Sequence, residues 1–447
     1  MKYFGTDGVR AVAGQFPLVE DFVVKLGYAA VKHVDASLPA NLKKSVVVCE
    51  DSRASGAMLL SNLSQGIMAA GYNVISIGVA PTPAVSFLVK KMGFAFGAVV
   101  SASHNPAEFN GIKFFNHEGK KMNEADEQSI ENILDSLTEA PIDNKNAEFE
   151  FNEALMLDYQ NFLVNTVPQD LFKNVKIVLD CANGATSRIA PMVFEALGAD
   201  VVVMANTPDG KNINAGVGAL HTEGMQALVK ERGAFCGFSF DGDGDRVIAA
   251  DEMGRQLDGD HIIAASALEL KRKNKLNKNK VVLTIMANLS VINFLKEKGM
   301  DVELTGVGDK YVSEALEIEG LTVGGETSGH IIFNEISPTG DGILAALQLS
   351  AFALENKTNL SAFHDLWHKY PALLTAVKVE NKVPLEEVDG FEQLIKELED
   401  SFKGKGRIIV RYSGTEPKLR ILVEGEDDGL VKDISCRLEE HFRAKVK

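Results

Sequence analysis

The chain lacks several features that would assign it to common protein classes. It carries only four cysteines in 447 residues, Cys49, Cys181, Cys236 and Cys436. They are scattered and none belongs to a C-x-x-C pair, which argues against a thiolate zinc site and a disulfide framework. A basic excess is also missing: Lys and Arg number 46 against 62 Asp and Glu, giving a net charge of −16. Duplex nucleic-acid binders neutralise phosphates with surplus cations, so no nucleic-acid partner is expected. No apolar stretch reaches transmembrane length, so no membrane partner is expected either. The opening residues, M-K-Y-F-G-T-D-G-V-R, contain no apolar run followed by a cleavage site, and the expected compartment is the cytoplasm.

What remains has the composition of a globular protein, 45% hydrophobic and 24% charged. Its length suggests roughly three or four domains. The acidic surplus repels phosphate-bearing ligands at long range, so a phosphorylated substrate would require cations concentrated in its site.

An internal echo organises the chain. Val46–Val48 is a β-branched run, followed by a loop, a helical stretch and Gly71-Tyr72-Asn73-Val74, which opens another apolar run. The pattern returns at Ile177–Leu179 with Gly198–Val201, and again at Val281–Leu283 with Gly299–Val302. Strand, loop, helix, glycine stop and strand in that order predict a parallel α/β layer, here in three copies. Residues 137–152, polar and acidic with a proline, and residues 368–373 read as joints. After the second joint the pattern changes to a strand, a charged helix near 385–402, the two strands R-I-I-V-R-Y and L-R-I-L-V-E, and an amphipathic helix. The expected fold is therefore α/β, with three similar mixed α/β-layer domains at 1–152, 153–255 and 256–368. A smaller α+β C-terminal domain follows at 369–447.

Four loops carry chemistry. D-G-D-G-D-R, Asp241 to Arg246, follows the strand-like run F-C-G-F-S-F. Carboxylates at alternate positions with glycines between them can wrap oxygens around one hard cation, Mg²⁺ or Ca²⁺. An EF-hand loop also begins D-x-D-x-D, but its sixth position is Gly where Arg246 stands, and its flank is helix rather than strand. A solvated acidic turn is the plainer reading of the same residues. S-A-S-H-N-P, Ser101 to Pro106, follows the buried-strand pattern Phe96–Val100. Such a strand delivers a serine to the crevice where α/β sheets place ligands. The same residues would also suit an ordinary capped turn. Lys113 lies shortly downstream and could serve as a general base or polarise a phosphoryl oxygen. G-G-E-T-S-G-H, Gly324 to His330, gathers a carboxylate, hydroxyls and an imidazole, as a sugar would need. R-Y-S-G-T-E-P, Arg411 to Pro417, offers a guanidinium fork, hydroxyls and bare amides for a phosphate. A helix cap and a hairpin turn are the plain readings of these last two.

As a set, and in this order, the four loops resemble the signature loops of the α-D-phosphohexomutase superfamily, one loop per domain. F-G-T-D-G-V-R at Phe4–Arg10, V-G-D-K-Y-V at Val307–Val312 and T-G-D-G at Thr339–Gly342 resemble the branch that works on glucosamine phosphates. The resemblance implies a four-domain, heart-shaped enzyme whose loops line one central cleft. It implies that phosphorylation of Ser103 activates the enzyme, and that Mg²⁺ is bound by Asp241, Asp243, Asp245 and the phosphorylated Ser103. Arg10 and Lys113 are implied beside the transferring phosphate, and His330 as an acid or base. Glu326 and Ser328 are implied as sugar-hydroxyl contacts. Arg411, Ser413, Gly414, Thr415 and Arg420 are implied at the substrate's non-reacting phosphate. The implied reaction interconverts glucosamine 6-phosphate and glucosamine 1-phosphate through a phosphoserine enzyme and a 1,6-bisphosphate, feeding UDP-N-acetylglucosamine synthesis. Glucose or mannose phosphates are the alternative substrates, and a homodimer is an assembly this reading admits. A phosphatase could use the same metal and serine but would leave phosphate free. The chain departs from the family pattern at Ala11, Cys49, Glu50 and Thr327.

Overall fold

The computed structural model describes residues 1–5, 7–139, 146–413 and 417–445. Each echoed β-branched run forms a strand that pairs in parallel with the run behind its glycine. The first layer contains β1 (Val9–Val12), α1 (Glu20–Asp35), β2 (Lys43–Glu50), α2 (Gly56–Ala69), β3 (Asn73–Val79), α3 (Thr82–Met92), β4 (Phe94–Val100), β5 (Phe109–Phe115), α4 (Glu124–Ser136) and β6 (Phe149–Phe151). Its sheet runs β1-β5-β4-β2-β3-β6. β2 is parallel to β3 and β4, while β5 turns back antiparallel to β4 and carries β1. Every residue of β4 is buried, as expected of a central strand covered on both faces. Its carboxyl end delivers Ser101–Ser103. The joint expected at 137–152 contains a strand: Phe149–Phe151 adds to the edge of β3. Three residues are too few to show a period, so the acidic surroundings hid it.

The second layer has α5 (Leu155–Val164), β7 (Lys176–Asp180), α6 (Ile189–Ala196), β8 (Asp200–Met204), α7 (Glu223–Arg232), β9 (Cys236–Phe240), β10 (Val247–Ala250) and β11 (Gln256–Leu257). Its sheet order is β11-β10-β9-β7-β8. The third begins with α8 (Gly259–Arg272) and β12 (Lys280–Thr284). The helix α9 (Leu289–Glu297) intervenes, and β13 (Asp301–Thr305), α10 (Asp309–Glu319), β14 (Val323–Gly325), β15 (Ile331–Phe333), α11 (Gly342–Glu355) and α12 (Ser361–His364) follow. Its sheet order is β13-β12-β14-β15. The parallel pairs β7/β8 and β12/β13 repeat the β2/β3 arrangement. Among the described residues no helix is long and apolar enough to cross a membrane.

The chain divides into two compact units. One comprises Met1–Met286 and Asp301–Leu366, the other Ala287–Met300 and Trp367–Lys447. The second unit is built on β16 (Ala372–Lys378), α13 (Phe391–Ser401), β17 (Gly406–Tyr412), β18 (Lys418–Gly425) and α14 (Asp428–Lys445), in the antiparallel order β16-β18-β17. Its core gathers Leu398, Phe402, Leu419, Ile421, Val423, Ile434, Leu438 and Phe442. α9 joins this unit through Glu424. That carboxylate accepts from the Leu289 amide at 2.9 Å, Asn288 Nδ2 at 3.3 Å and Arg407 Nε at 2.5 Å.

The first layer depends on a glycine contact between α1 and α2. A Cβ on Gly66 would lie 1.9 Å from the Val24 carbonyl oxygen, and one on Gly27 would lie 2.3 Å from that of Leu63. Both obstacles are backbone and cannot rotate away. Gly66→Ala is therefore expected to lower unfolding stability by about 1–3 kcal/mol, the usual cost of overpacking, despite alanine's better helix propensity. Urea denaturation followed by circular dichroism checks the sign: a more stable variant would show that the helices separate without cost.

Candidate active site

Three of the four chemical loops converge within the first unit. The serine loop leaves the end of β4, the acidic loop connects β9 to β10, and the hydroxyl-rich loop connects β14 to β15. An isolated bridge between Arg246 and His330 ties the second loop to the third. The first and second are in backbone contact, since a Cβ on Gly242 would lie 2.6 Å from the Ser103 carbonyl oxygen. Glycine at that position is a condition of the approach.

Ser103 is 1% exposed, and its φ of 53° lies in the left-handed region. Its Oγ donates to Asp241 Oδ2 at 2.7 Å and stands 3.3 Å from His104 Nδ1. Burial, Arg246 and Arg10 push the His104 pKa down to about 4, so that ring is neutral at pH 7. Asp241, Asp243 and Asp245 are 0–2% exposed, and each offers an oxygen within 4.8 Å of the others. Asp243 Oδ2 accepts from Thr82 Oγ1 at 2.7 Å and from Lys113 Nζ at 2.8 Å. Lys113, on β5, also lies 3.0 Å from Asp7 Oδ2 and 3.8 Å from Asp245 Oδ2. Burial would lower its pKa, but Asp243, Asp7 and Asp245 outweigh burial and raise it.

The carboxylates respond to this crowding in opposite directions. Burial, with Asp245 and Asp243 beside it, pushes Asp241 well above the usual carboxylate range. Burial acts the same way on Asp245, yet Lys113, His330 and Arg246 pull it well below that range. Asp243 Oδ1 and Asp245 Oδ1 are buried without a hydrogen-bond partner. Unmet buried carboxylate oxygens are costly, and a set of oxygen donors aimed at one point fits a hard divalent cation.

His330 is 1% exposed, with Nδ1 3.6 Å from Asp245 Oδ2 and Nε2 3.7 Å from Asp309 Oδ2. The Gly340 amide donates to Nε2 at 3.2 Å, so the neutral ring carries its proton on Nδ1. Burial opposes charging the ring, but Asp245 and Asp309 outweigh it and raise the pKa. Glu326 Oε1 accepts from the Gly308 amide at 3.1 Å, and Ser328 Oγ lies 3.4 Å from Glu326 Oε2. A cavity of about 680 Å³ borders on His330, Lys121, Asp309 and Thr339.

Arg10 lies on β1 opposite Gly111 and pairs with Asp7. Asp7 also receives Lys121 Nζ at 2.6 Å, and Lys121 pairs in turn with Asp309. Sequence reasoning did not assign roles to Asp7, Lys121 or Asp309. F-G-T-D-G-V-R and V-G-D-K-Y-V contain the two aspartates and were the available signal; Lys121 offered none. The structure also shows what surrounds three departures from the family pattern. Thr327 Oγ1 bonds Asp260 Oδ1 at 2.8 Å, so its hydroxyl braces the loop against α8. The buried Cys49 thiol donates to the Ala80 carbonyl at 3.4 Å. Glu50 packs against Gly56, and burial, with Asp51 beside it, raises its pKa to about 7. Nothing in the structure explains Ala11.

Arg411, Ser413 and Arg420 belong to the second unit. Arg411 on β17 stands directly opposite Arg420 on β18, and burial together with Arg420 lowers the Arg411 pKa. Like charges in register destabilise a sheet unless an anion relieves them. Lys382 Nζ donates to the Ser413 carbonyl at 2.7 Å. Gly414 and Thr415 lie outside the described residues.

If the acidic loop holds Mg²⁺, the ion stabilises the folded state by mass action, by about 2.7 kcal/mol at a hundredfold excess over Kd. Thermal melts with and without MgCl₂ are expected to show an upward shift for the native chain and none for Asp243→Asn. Equal shifts in both would remove the loop from consideration.

The sequence matches four family profiles. Phosphoglucomutase/phosphomannomutase alpha/beta/alpha domain I covers residues 1–141, domain II 158–254, domain III 258–370, and the C-terminal domain 374–441. A phosphoglucosamine mutase of Clostridioides difficile is 42% identical over 450 residues, covering 100% of this chain and 99% of the relative. A phosphoglucomutase/phosphomannomutase family protein of Burkholderia thailandensis superposes with a TM-score of 0.81 at 23% identity, covering 99% and 97% of the two chains. An N-acetylphosphoglucosamine mutase of Aspergillus fumigatus, solved with GlcNAc-6P and magnesium, has a TM-score of 0.65 at 19% identity, covering 92% and 84%.

Proposed function

The chain belongs to the phosphoglucosamine mutase branch of the α-D-phosphohexomutase superfamily, an isomerase-class enzyme family, and from that premise we propose how its residues work. The substrate pair is glucosamine 6-phosphate and glucosamine 1-phosphate, whose product feeds UDP-N-acetylglucosamine synthesis. The observation that carries this reading is Ser103 Oγ, buried at the end of β4 and 2.7 Å from Asp241 Oδ2.

In this scheme Ser103 is phosphorylated in the active enzyme. The O1 of glucosamine 6-phosphate attacks that phosphorus; the O1–P bond forms as the P–Oγ bond breaks, a nearby base takes the O1 proton, and Ser103 Oγ takes a proton as it leaves. The resulting 1,6-bisphosphate turns around in the site. Ser103 Oγ then gives up its proton to a base and attacks the 6-phosphoryl group; the Oγ–P bond forms as the P–O6 bond breaks, O6 takes a proton as it leaves, and glucosamine 1-phosphate remains on a rephosphorylated enzyme. Asp241, Asp243, Asp245 and the phosphorylated Ser103 would hold Mg²⁺, which when bound offsets charge on the phosphoryl oxygens. The oxygen-only donor set, the two unmet carboxylate oxygens and the magnesium of the Aspergillus relative support that assignment.

The chain's own cations do the same work from the other side. Lys113 reaches Asp243 and Asp245 from β5, where its ammonium can also meet phosphoryl oxygens. Arg10 sits on the strand beside it. His330 transfers protons in this scheme, and its Nδ1, 3.6 Å from Asp245 Oδ2, supports that role. Glu326 and Ser328 hold sugar hydroxyls in both orientations of the bisphosphate. Arg411, Ser413, Gly414, Thr415 and Arg420 grip the phosphate that is not reacting, and the facing guanidinium groups of Arg411 and Arg420 support this.

Phosphorus NMR with glucosamine 6-phosphate should show a new 1-phosphate resonance; inorganic phosphate as sole product would replace the mutase reading with a phosphatase. Ser103→Ala should lose turnover by at least about 10³-fold, since the covalent relay has no substitute. Comparison of kcat/KM for the glucosamine, glucose and mannose 6-phosphates should favour glucosamine by about tenfold or more, a difference worth about 1.4 kcal/mol.

A further inference from the structure

Arg53 lies in the D-S-R turn after β2, and the reaction scheme gives it no role. Its side chain is fully buried, as is that of Asp51. A guanidinium has five N–H donors, and all five are used. Nε donates to Asp51 Oδ2 at 2.9 Å. One terminal nitrogen donates to the Phe109 carbonyl at 2.9 Å and to that of Pro106. The other donates to the carbonyls of Ser103 at 2.9 Å and Asn105 at 2.8 Å. Three carbonyls of the serine loop and that of Phe109 at the start of β5 thus converge on one cation.

The same turn holds the loop from its amide side. Asp51 Oδ2 accepts from Ser101 Oγ at 2.6 Å, and Ser101 Oγ accepts from the Ser103 amide at 2.9 Å. From the second layer, Asn214 Nδ2 reaches the Ser103 and Asn105 carbonyls at 2.9 and 3.2 Å. Ser103 therefore has its amide and its carbonyl both tethered while its φ is 53°. A non-glycine residue holds that conformation only where its surroundings over-determine it. Opposite this backbone, Oγ is left facing Asp241.

We propose that Arg53 is the positioning residue for phosphoryl transfer: its five donors set the backbone at Ser103 so that Oγ points into the carboxylate cluster. This rests on Ser103 being the phosphoryl carrier. Arg53 touches neither the sugar nor the transferring group, so its loss weakens the chemical step rather than substrate binding. Lysine carries the charge but only three donors on a mobile tip, and cannot replace the fork.

The experiment measures kcat and KM of the full-length enzyme with glucosamine 6-phosphate for Arg53→Ala, Arg53→Lys, Asn214→Gly and Ser103→Ala. Both Arg53 variants are expected to lose about 100-fold in kcat with KM changed less than about threefold, the scale of an ångström's misplacement. Guanidinium ion below denaturing concentrations should restore Arg53→Ala at least about tenfold by refilling the vacated fork, whereas NaCl should not. A folded Arg53→Ala with native kcat, or one that guanidinium cannot restore, overturns the proposal. Removing Arg53 strands the Asp51 carboxylate, so Asn214→Gly provides a second route. It deletes one grip on the same carbonyls and keeps the backbone conformation. It should lower kcat about tenfold with an unchanged melting temperature, and native kcat there also counts against the proposal. Ser103→Ala separates the two levels: turnover without Ser103 removes the carrier reading itself, whereas its loss beside a fully active Arg53→Ala removes only the positioning role.

Discussion

Three carboxylates forced together away from water are the constraint around which the first unit is arranged. Asp241, Asp243 and Asp245 are buried within 4.8 Å of one another, and in a low-dielectric interior such charges are tolerable only if cations surround them. Lys113 comes from β5, Arg246 from the loop itself and His330 from the third layer. Each of the three layers therefore contributes one side of a single electrostatic balance. Glycines at 242 and 244 let the acidic turn fold tightly enough for this to happen, and the serine loop can then approach until Ser103 Oγ meets Asp241.

The balance extends outward as alternating charge. Lys113 touches Asp7, Asp7 touches Lys121, Lys121 touches Asp309, and Asp309 lies near His330. The path returns to the imidazole that faces Asp245 from the other side. An acidic protein of net charge −16 thus sets its cations where anionic oxygens must be accommodated.

Much of this was legible from local pattern. The β-branched runs and glycine stops predicted the three parallel pairs because strand formation and helix termination are decided within a few residues. The buried run before Ser103 and the alternation of Asp with Gly were local in the same sense. What escaped was long-range or brief. Lys121 acquires meaning only through Asp7 and Asp309, far away in sequence. Arg53 escaped because four of its five donors go to carbonyls, which no residue pattern displays. Phe149–Phe151 is too short for a period to be read. Thr327 stood out as a departure from the family pattern, but only the fold shows that Asp260 occupies its hydroxyl.

The placement of α9 has a consequence for synthesis. Glu424 on β18 accepts from Leu289 and Asn288, so the helix of residues 289–297 is completed by strands made last. Val291, Ile292 and Leu295 are buried in the finished protein. As the chain leaves the ribosome, this helix emerges well before β16, β17 and β18 exist. Domains generally fold as units in order of emergence. Here the Leu289 amide and the Asn288 side chain at the start of one helix must wait for the Glu424 carboxylate until nearly all of the unit is translated.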